Sequence, residues 1–161
     1  MIMEDTMRRM LLAGTMLLAA GCSTNPANRH AFLTVSLSGI QEVPGPGDPD
    51  GNGTVEIRVA PAQGSVCWNL YARAIEPATA AHIHRGAAGS AGPPVLTLTT
   101  PDAAGRSQGC ATVDQALARE IGWRGHEFYV NVHDAAHPAG AIRGQLRGGP
   151  ELREPRQPAS R

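Results

Sequence analysis

From Phe32 onward, apolar and polar residues alternate along the chain. Leu33, Val35 and Leu37 fall on one face against Thr34 and Ser36, and Val55, Ile57 and Val59 oppose Glu56 and Arg58. Val66, Trp68, Leu70 and Ala72 likewise oppose Cys67, Asn69, Tyr71 and Arg73. A strand sends successive side chains to opposite sides, so period two sustained over these segments predicts half-buried β-strands. Further strands are expected at Ala80 to His84, Val95 to Thr99, Cys110 to Val113, Glu127 to His133 and Ala141 to Arg147. Only Asp114 to Ile121 reads as helix, because Asp114 can cap it and Leu117 and Ile121 stand four apart. Gly or Pro clusters separate nearly every strand. That regular spacing predicts an all-β fold, an antiparallel Greek-key or immunoglobulin-like β-sandwich of about seven to nine strands with one short helix.

Both ends depart from this pattern. Met7-Arg8-Arg9-Met10 is a short positive segment followed by an apolar run from Leu11 to Ala20, which is the anatomy of an export signal. The run is shorter than the roughly 20 apolar residues a bilayer-spanning helix needs. Glu4 and Asp5 are foreign to a signal, which points to translation from Met7 or a tolerated extension from Met1. Leu18-Ala19-Ala20-Gly21-Cys22 resembles the lipobox of bacterial lipoproteins. The resemblance implies a signal peptide over 1–21 and a lipid on Cys22 that holds the exported protein on a membrane, in the periplasm or at the cell surface, because several acyl chains anchor where one binds only marginally. The polar stretch 22–30 reads as a tether, 31–147 as the domain, and 148–161, rich in Arg, Glu and Pro, as a disordered tail. Gly86, Gly89 and Gly92 recur every third residue but are too few for a collagen helix, and read as a glycine-rich loop.

The charge balance narrows the partners. There are 14 basic residues, all Arg, against 14 acidic ones, with no run of like charge, so nucleic acid is not expected as a partner. Only two each of Phe, Tyr and Trp are available for the core. Such a core gains from a covalent staple. Cys67 and Cys110 lie beyond the lipidated position and, in an oxidising compartment, read first as a disulfide; two buried thiols are the alternative.

Four segments carry a resemblance: Leu37-Ser38-Gly39-Ile40-Gln41-Glu42-Val43-Pro44, Ala81-His82-Ile83-His84-Arg85-Gly86-Ala87-Ala88-Gly89, Tyr129-Val130-Asn131-Val132-His133 and His137-Pro138-Ala139-Gly140-Ala141-Ile142-Arg143-Gly144-Gln145-Leu146. In order and separation they resemble the CHRD family, the domain named after chordin. The resemblance implies a β-sandwich module of extracellular proteins and carries no settled chemistry. A binding or structural role on the cell envelope, toward an envelope or extracellular protein or a glycan, is what it leads one to expect, and fold kinship alone licenses no activity.

The chemistry on offer lies mainly in one strip. Alternation puts His82 and His84 on one face of their strand, Asn131 and His133 on one face of theirs, and Arg143 with Gln145 on one face of a third. If these strands are neighbours, the six side chains gather. Two His from one strand and one from another suit copper or zinc, with His82, His84 and His133 as ligands. The open alternatives are a network bonding backbone or Arg143, and an organic ligand. The His-x-His on a sandwich also resembles copper/zinc superoxide dismutase, but no bridging histidine with a nearby liganding Asp can be assembled from the six His present. His133 and His137 have the helical zinc spacing, against which Pro138 and Gly140 argue. Asp48, Asp50 and Asn52 resemble the opening of a calcium loop, yet Val59 stands where the closing Glu would be, and a polar hairpin turn is the commoner explanation. There is no Gly-x-Ser-x-Gly, His-Glu-x-x-His or P-loop, so nothing in the chain argues for a hydrolase, and redox chemistry at a copper or zinc site stays open as the alternative.

Overall fold

The structure is a computed structural model, and it describes residues 30–148. The signal over 1–21, lipidation of Cys22, the tether before His30 and the tail after Gly148 concern residues outside that range.

Eight strands form one antiparallel sheet: β1 (Ala31–Ser38), β2 (Asn52–Ala60), β3 (Ser65–Arg73), β4 (Ala78–Arg85), β5 (Pro94–Leu98), β6 (Arg106–Thr112), β7 (Phe128–Asp134) and β8 (Ile142–Gln145). Their spatial order is β5-β4-β7-β8-β1-β2-β3-β6. The sheet curls so that its edges approach, and the Ser107 hydroxyl on β6 donates to the Thr99 carbonyl just after β5. The fold is therefore all-β and barrel-like or sandwich-like, as the alternation predicts.

The core follows from parity. Leu33, Val35 and Leu37 of β1, Val55, Ile57 and Val59 of β2, and Val66, Trp68 and Leu70 of β3 are buried, and they meet Ala81 and Ile83 of β4 and Val130 and Val132 of β7 across the interior. Burying one such aliphatic side chain stabilises the fold by roughly 1.5–3 kcal/mol before entropy is counted. The β2–β3 turn needs a left-handed residue, supplied by Gly64 at φ 61°, and any side chain there would run into the Val113 carbonyl.

Among the described residues a single α-helix, α1 (Gln115–Trp123), closes one end. Asp114 caps it by accepting from the Ala116 N–H at 2.7 Å, and Ala118, Ile121 and Gly122 are its buried residues. Gly122 sits against Ala31 and Val59, where the missing side chain lets the helix approach the sheet.

Cys67 and Cys110 are directly opposed on β3 and β6 and form a disulfide. One expectation fails in detail: β7 is not half-buried. Every residue from Phe128 to Val132 is buried, on both faces, because a loop lies over the outer side.

Candidate metal centre

β4, β7 and β8 are consecutive neighbours, so the polar strip assembles. Two rows cross the three strands: His82 opposite Asn131 opposite Arg143, and His84 opposite Tyr129 opposite Gln145. His133 lies opposite Ala80 at the end of β7. Tyr129 belongs to the strip by the same alternation as Asn131 and His133. Its ring is the middle of a stack, with the His84 imidazole at 4.8 Å and the Arg143 guanidinium at 3.4 Å, contributed by the strands on either side of β7.

The cover over this strip is the glycine-rich loop between β4 and β5. Arg143, only 1% exposed, donates through Nη2 to the carbonyls of Ala87 at 3.0 Å and Ser90 at 2.9 Å. Gln145 donates through Nε2 to the Gly86 carbonyl at 2.9 Å. The Tyr129 hydroxyl accepts from the Gly92 N–H at 3.2 Å. Gly92 is obligatory, since a side chain there would collide with the Arg85 carbonyl. The Arg143 end of the strip thus holds the loop down, and the histidines occupy the other end.

His82, His84 and His133 converge, with one ring nitrogen of each within 4.8 Å of the others. The bonds they make define which nitrogens are free. His84 Nδ1 lies 2.8 Å from the Gly92 carbonyl, and His133 Nδ1 lies 3.0 Å from the Pro138 carbonyl. A carbonyl only accepts, so both Nδ1 atoms carry hydrogen and both Nε2 atoms present lone pairs in the neutral rings. With its hydrogen on Nδ1, His133 accepts at Nε2 from His82 Nδ1 at 3.2 Å. That separation is close to the edge of about 3.3 Å that two Zn–N bonds would make in a tetrahedron if an ion took the place of that hydrogen. His84 Nε2 is buried and has no hydrogen-bond partner. Carbonyls that fix the far nitrogen of a ligating imidazole are the usual outer support of a metal site.

Two of the rings are held toward the neutral form. Burial holds the His82 imidazole below its ordinary value, and the neighbouring His133 and His84 lower it further. Burial lowers His133 too, against the opposing pull of its bond to Pro138. Three imidazoles gathered in this way, when neutral, suit a copper or zinc ion. Asn131, whose Oδ1 is buried without a partner, separates His82 from Arg143 in its row, so the guanidinium is not an immediate neighbour of the imidazole cluster.

The other proposed ligands have different surroundings. Asp48 Oδ1 accepts from the N–H groups of Asp50 at 3.0 Å and Gly51 at 3.1 Å, and Asn52 Nδ2 donates to the Asp50 carbonyl, the bonding of a side-chain-mediated turn. His137 faces Asp134, not His133, with Nδ1 3.0 Å from Asp134 Oδ1. Sequence reasoning missed Tyr129, which parity marks, and Glu42 and Asp134, which no local pattern marks. Glu42 is buried beneath Gly140, and burial pushes its carboxyl up to about 7.

An antiparallel β-module, disulfide-stapled and carrying one covered polar strip, is what fold and site define. The CHRD domain family model matches residues 33–146, and the chain belongs to that family. Membership and the Cys67–Cys110 bridge mark it as a module of extracellular or exported type. No curated protein and no solved structure matches it.

Proposed function

We propose that this chain is an exported CHRD module, anchored on the cell envelope through lipid on Cys22, whose working element is a site for one copper or zinc ion at His82, His84 and His133. The observation that carries this reading is the buried His84 Nε2, which has no partner, on an imidazole that converges with those of His82 and His133. A buried acceptor without a partner is costly unless a ligand satisfies it.

The test is elemental analysis of the full chain after copper or zinc loading and removal of free metal. Retained metal falls by about one equivalent per chain in His84→Ala and in His82→Ala, as expected of ligands shared by one ion. Retention that is the same in both variants and the parent overturns the reading. Anchoring is checked separately: fatty-acid labelling and recovery with membranes are lost together in Cys22→Ala.

A second reading, display of a surface to an envelope or extracellular protein or glycan, draws on Phe32 and Ile40, which are large apolar side chains left exposed. On that reading, partner capture survives His84→Ala and is weakened by Phe32→Ser or Ile40→Ser.

A further inference from the structure

We propose that Asp48, Asp134 and His137 form a second divalent-cation site, chemically distinct from the three-histidine cluster, that ties the β1–β2 loop to the β7–β8 turn. One donor atom from each of these residues lies within 4.8 Å of the others. They come from three places in the chain: the loop before β2, the last residue of β7 and the turn after it. The same two segments already touch through the Asp48 N–H, which donates to the Ala141 carbonyl at 2.8 Å.

The independent observation is the state of Asp134. Its side chain is 0% exposed, and its Oδ2 has no hydrogen-bond partner. Its Oδ1 accepts from the His137 N–H at 2.7 Å and lies 3.0 Å from His137 Nδ1. A carboxylate only accepts, so His137 Nδ1 carries hydrogen in the metal-free chain. A cation would take the place of that proton, and the separation is about the edge spanned by two metal bonds of 2.1 Å at right angles. A buried carboxylate with one oxygen unmet needs positive charge beside it, and a divalent ion would neutralise Asp134 and Asp48 together. Asp48 keeps Oδ2 for the ion, since its turn bonds use Oδ1.

The donor set defines the ion. Two carboxylates with one imidazole suit ions that accept both oxygen and nitrogen, such as Mn²⁺, whereas an all-imidazole set selects copper and zinc. The two sites are also on opposite faces of β7. Asp134 shares parity with the core residues Val130 and Val132, and His133 shares it with Tyr129 and Asn131 on the covered side. Removing His82 and His84 therefore leaves in place the donor atoms of this site and the His133–Pro138 bond beside His137.

The experiment is Mn²⁺ titration of the full chain, following the signal of free Mn²⁺ by electron paramagnetic resonance, with the thermal midpoint measured in parallel. The double variant His82→Ala, His84→Ala, which keeps the His133–Pro138 bond, is expected to bind one Mn²⁺ per chain with a raised midpoint. Asp48→Asn and His137→Ala, both at partly exposed positions, are expected to fold as judged by circular dichroism and to lose that equivalent. Two results overturn the proposal: no Mn²⁺ bound by the folded parent, or binding unchanged in Asp48→Asn and His137→Ala. Calcium displacing Mn²⁺ equally well in the parent and in His137→Ala would remove His137 from the site. Since the two-histidine variant carries this test, its outcome is separate from that of the copper or zinc site.

Discussion

The guanidinium carbon of Arg143 lies 3.4 Å from the centre of the Tyr129 ring, inside the protein. A buried cation over an aromatic face gains from the ring quadrupole, and more so when water is excluded. Here the same guanidinium holds the loop that covers the strip, and the same ring stacks on His84. Loop closure and imidazole placement therefore depend on one stack.

Replacing Arg143 with Met keeps much of the bulk but frees the carbonyls of Ala87 and Ser90. The expected loss of stability is about 2–3 kcal/mol, with faster amide exchange confined to the loop over 86–93. Tyr129→Phe retains the stack and loses only the bonding to Gly92, for about 1 kcal/mol. Denaturant unfolding and hydrogen exchange measure both, and an Arg143→Met cost no larger than that of Tyr129→Phe would sink the clamp.

The histidines give a pH dependence of definite sign. His82 and His133 are held below the ordinary imidazole value of 6.5, so the unfolded chain takes up protons before the folded one does. Their contribution to stability is complete above 6.5 and is lost as pH falls through the lowered folded values. Metal binding, which needs the neutral rings, fades over the same range. Thermal midpoints of metal-free protein between about pH 7.5 and 5 should fall less steeply in His133→Gln than in the parent. An equal slope in both would contradict the assignment.

Glu42 works in the opposite direction. Its carboxyl is raised from 4.5 to about 7, so the folded state holds its proton more tightly. That contribution is complete below 4.5 and disappears as pH rises through about 7. Glu42→Gln should therefore be more stable than the parent at pH 8, by on the order of 2 kcal/mol, and no more stable at pH 4. A constant difference across that range, read from urea midpoints, would mean that ionisation of Glu42 is not its origin.

The bridge between Cys67 and Cys110 closes a loop of 43 residues. Its removal in Cys67→Ser, Cys110→Ser releases the unfolded chain and should cost up to about 4 kcal/mol. The comparison is chemical denaturation of variant and parent, with reduced parent as a second reference. A variant as stable as the oxidised parent would show that the sheet needs no staple.

Much of the frame could be read from local pattern. Alternation from Leu33 to Leu37 and from Val66 to Ala72 assigns strands and their inward faces, because the pleat has period two whatever the strand's neighbours are. Asp114 announces the helix, as a cap acts within a few residues. Parity also puts His82 with His84 and Asn131 with His133. It cannot say that β4 and β7 are adjacent, or that a loop would bury Tyr129 and Arg143 from the outside.

The residue sequence by itself determined the strands, the helix, the half-strips of histidine and the cysteine pair, since each depends on neighbours along the chain. Only the tertiary structure decided that three imidazoles gather, that the Gly92 and Pro138 carbonyls set the tautomers of His84 and His133, and that Asp48 meets Asp134 and His137. Those relationships join segments far apart in the chain, and they exist only once the curled sheet and its loops have closed.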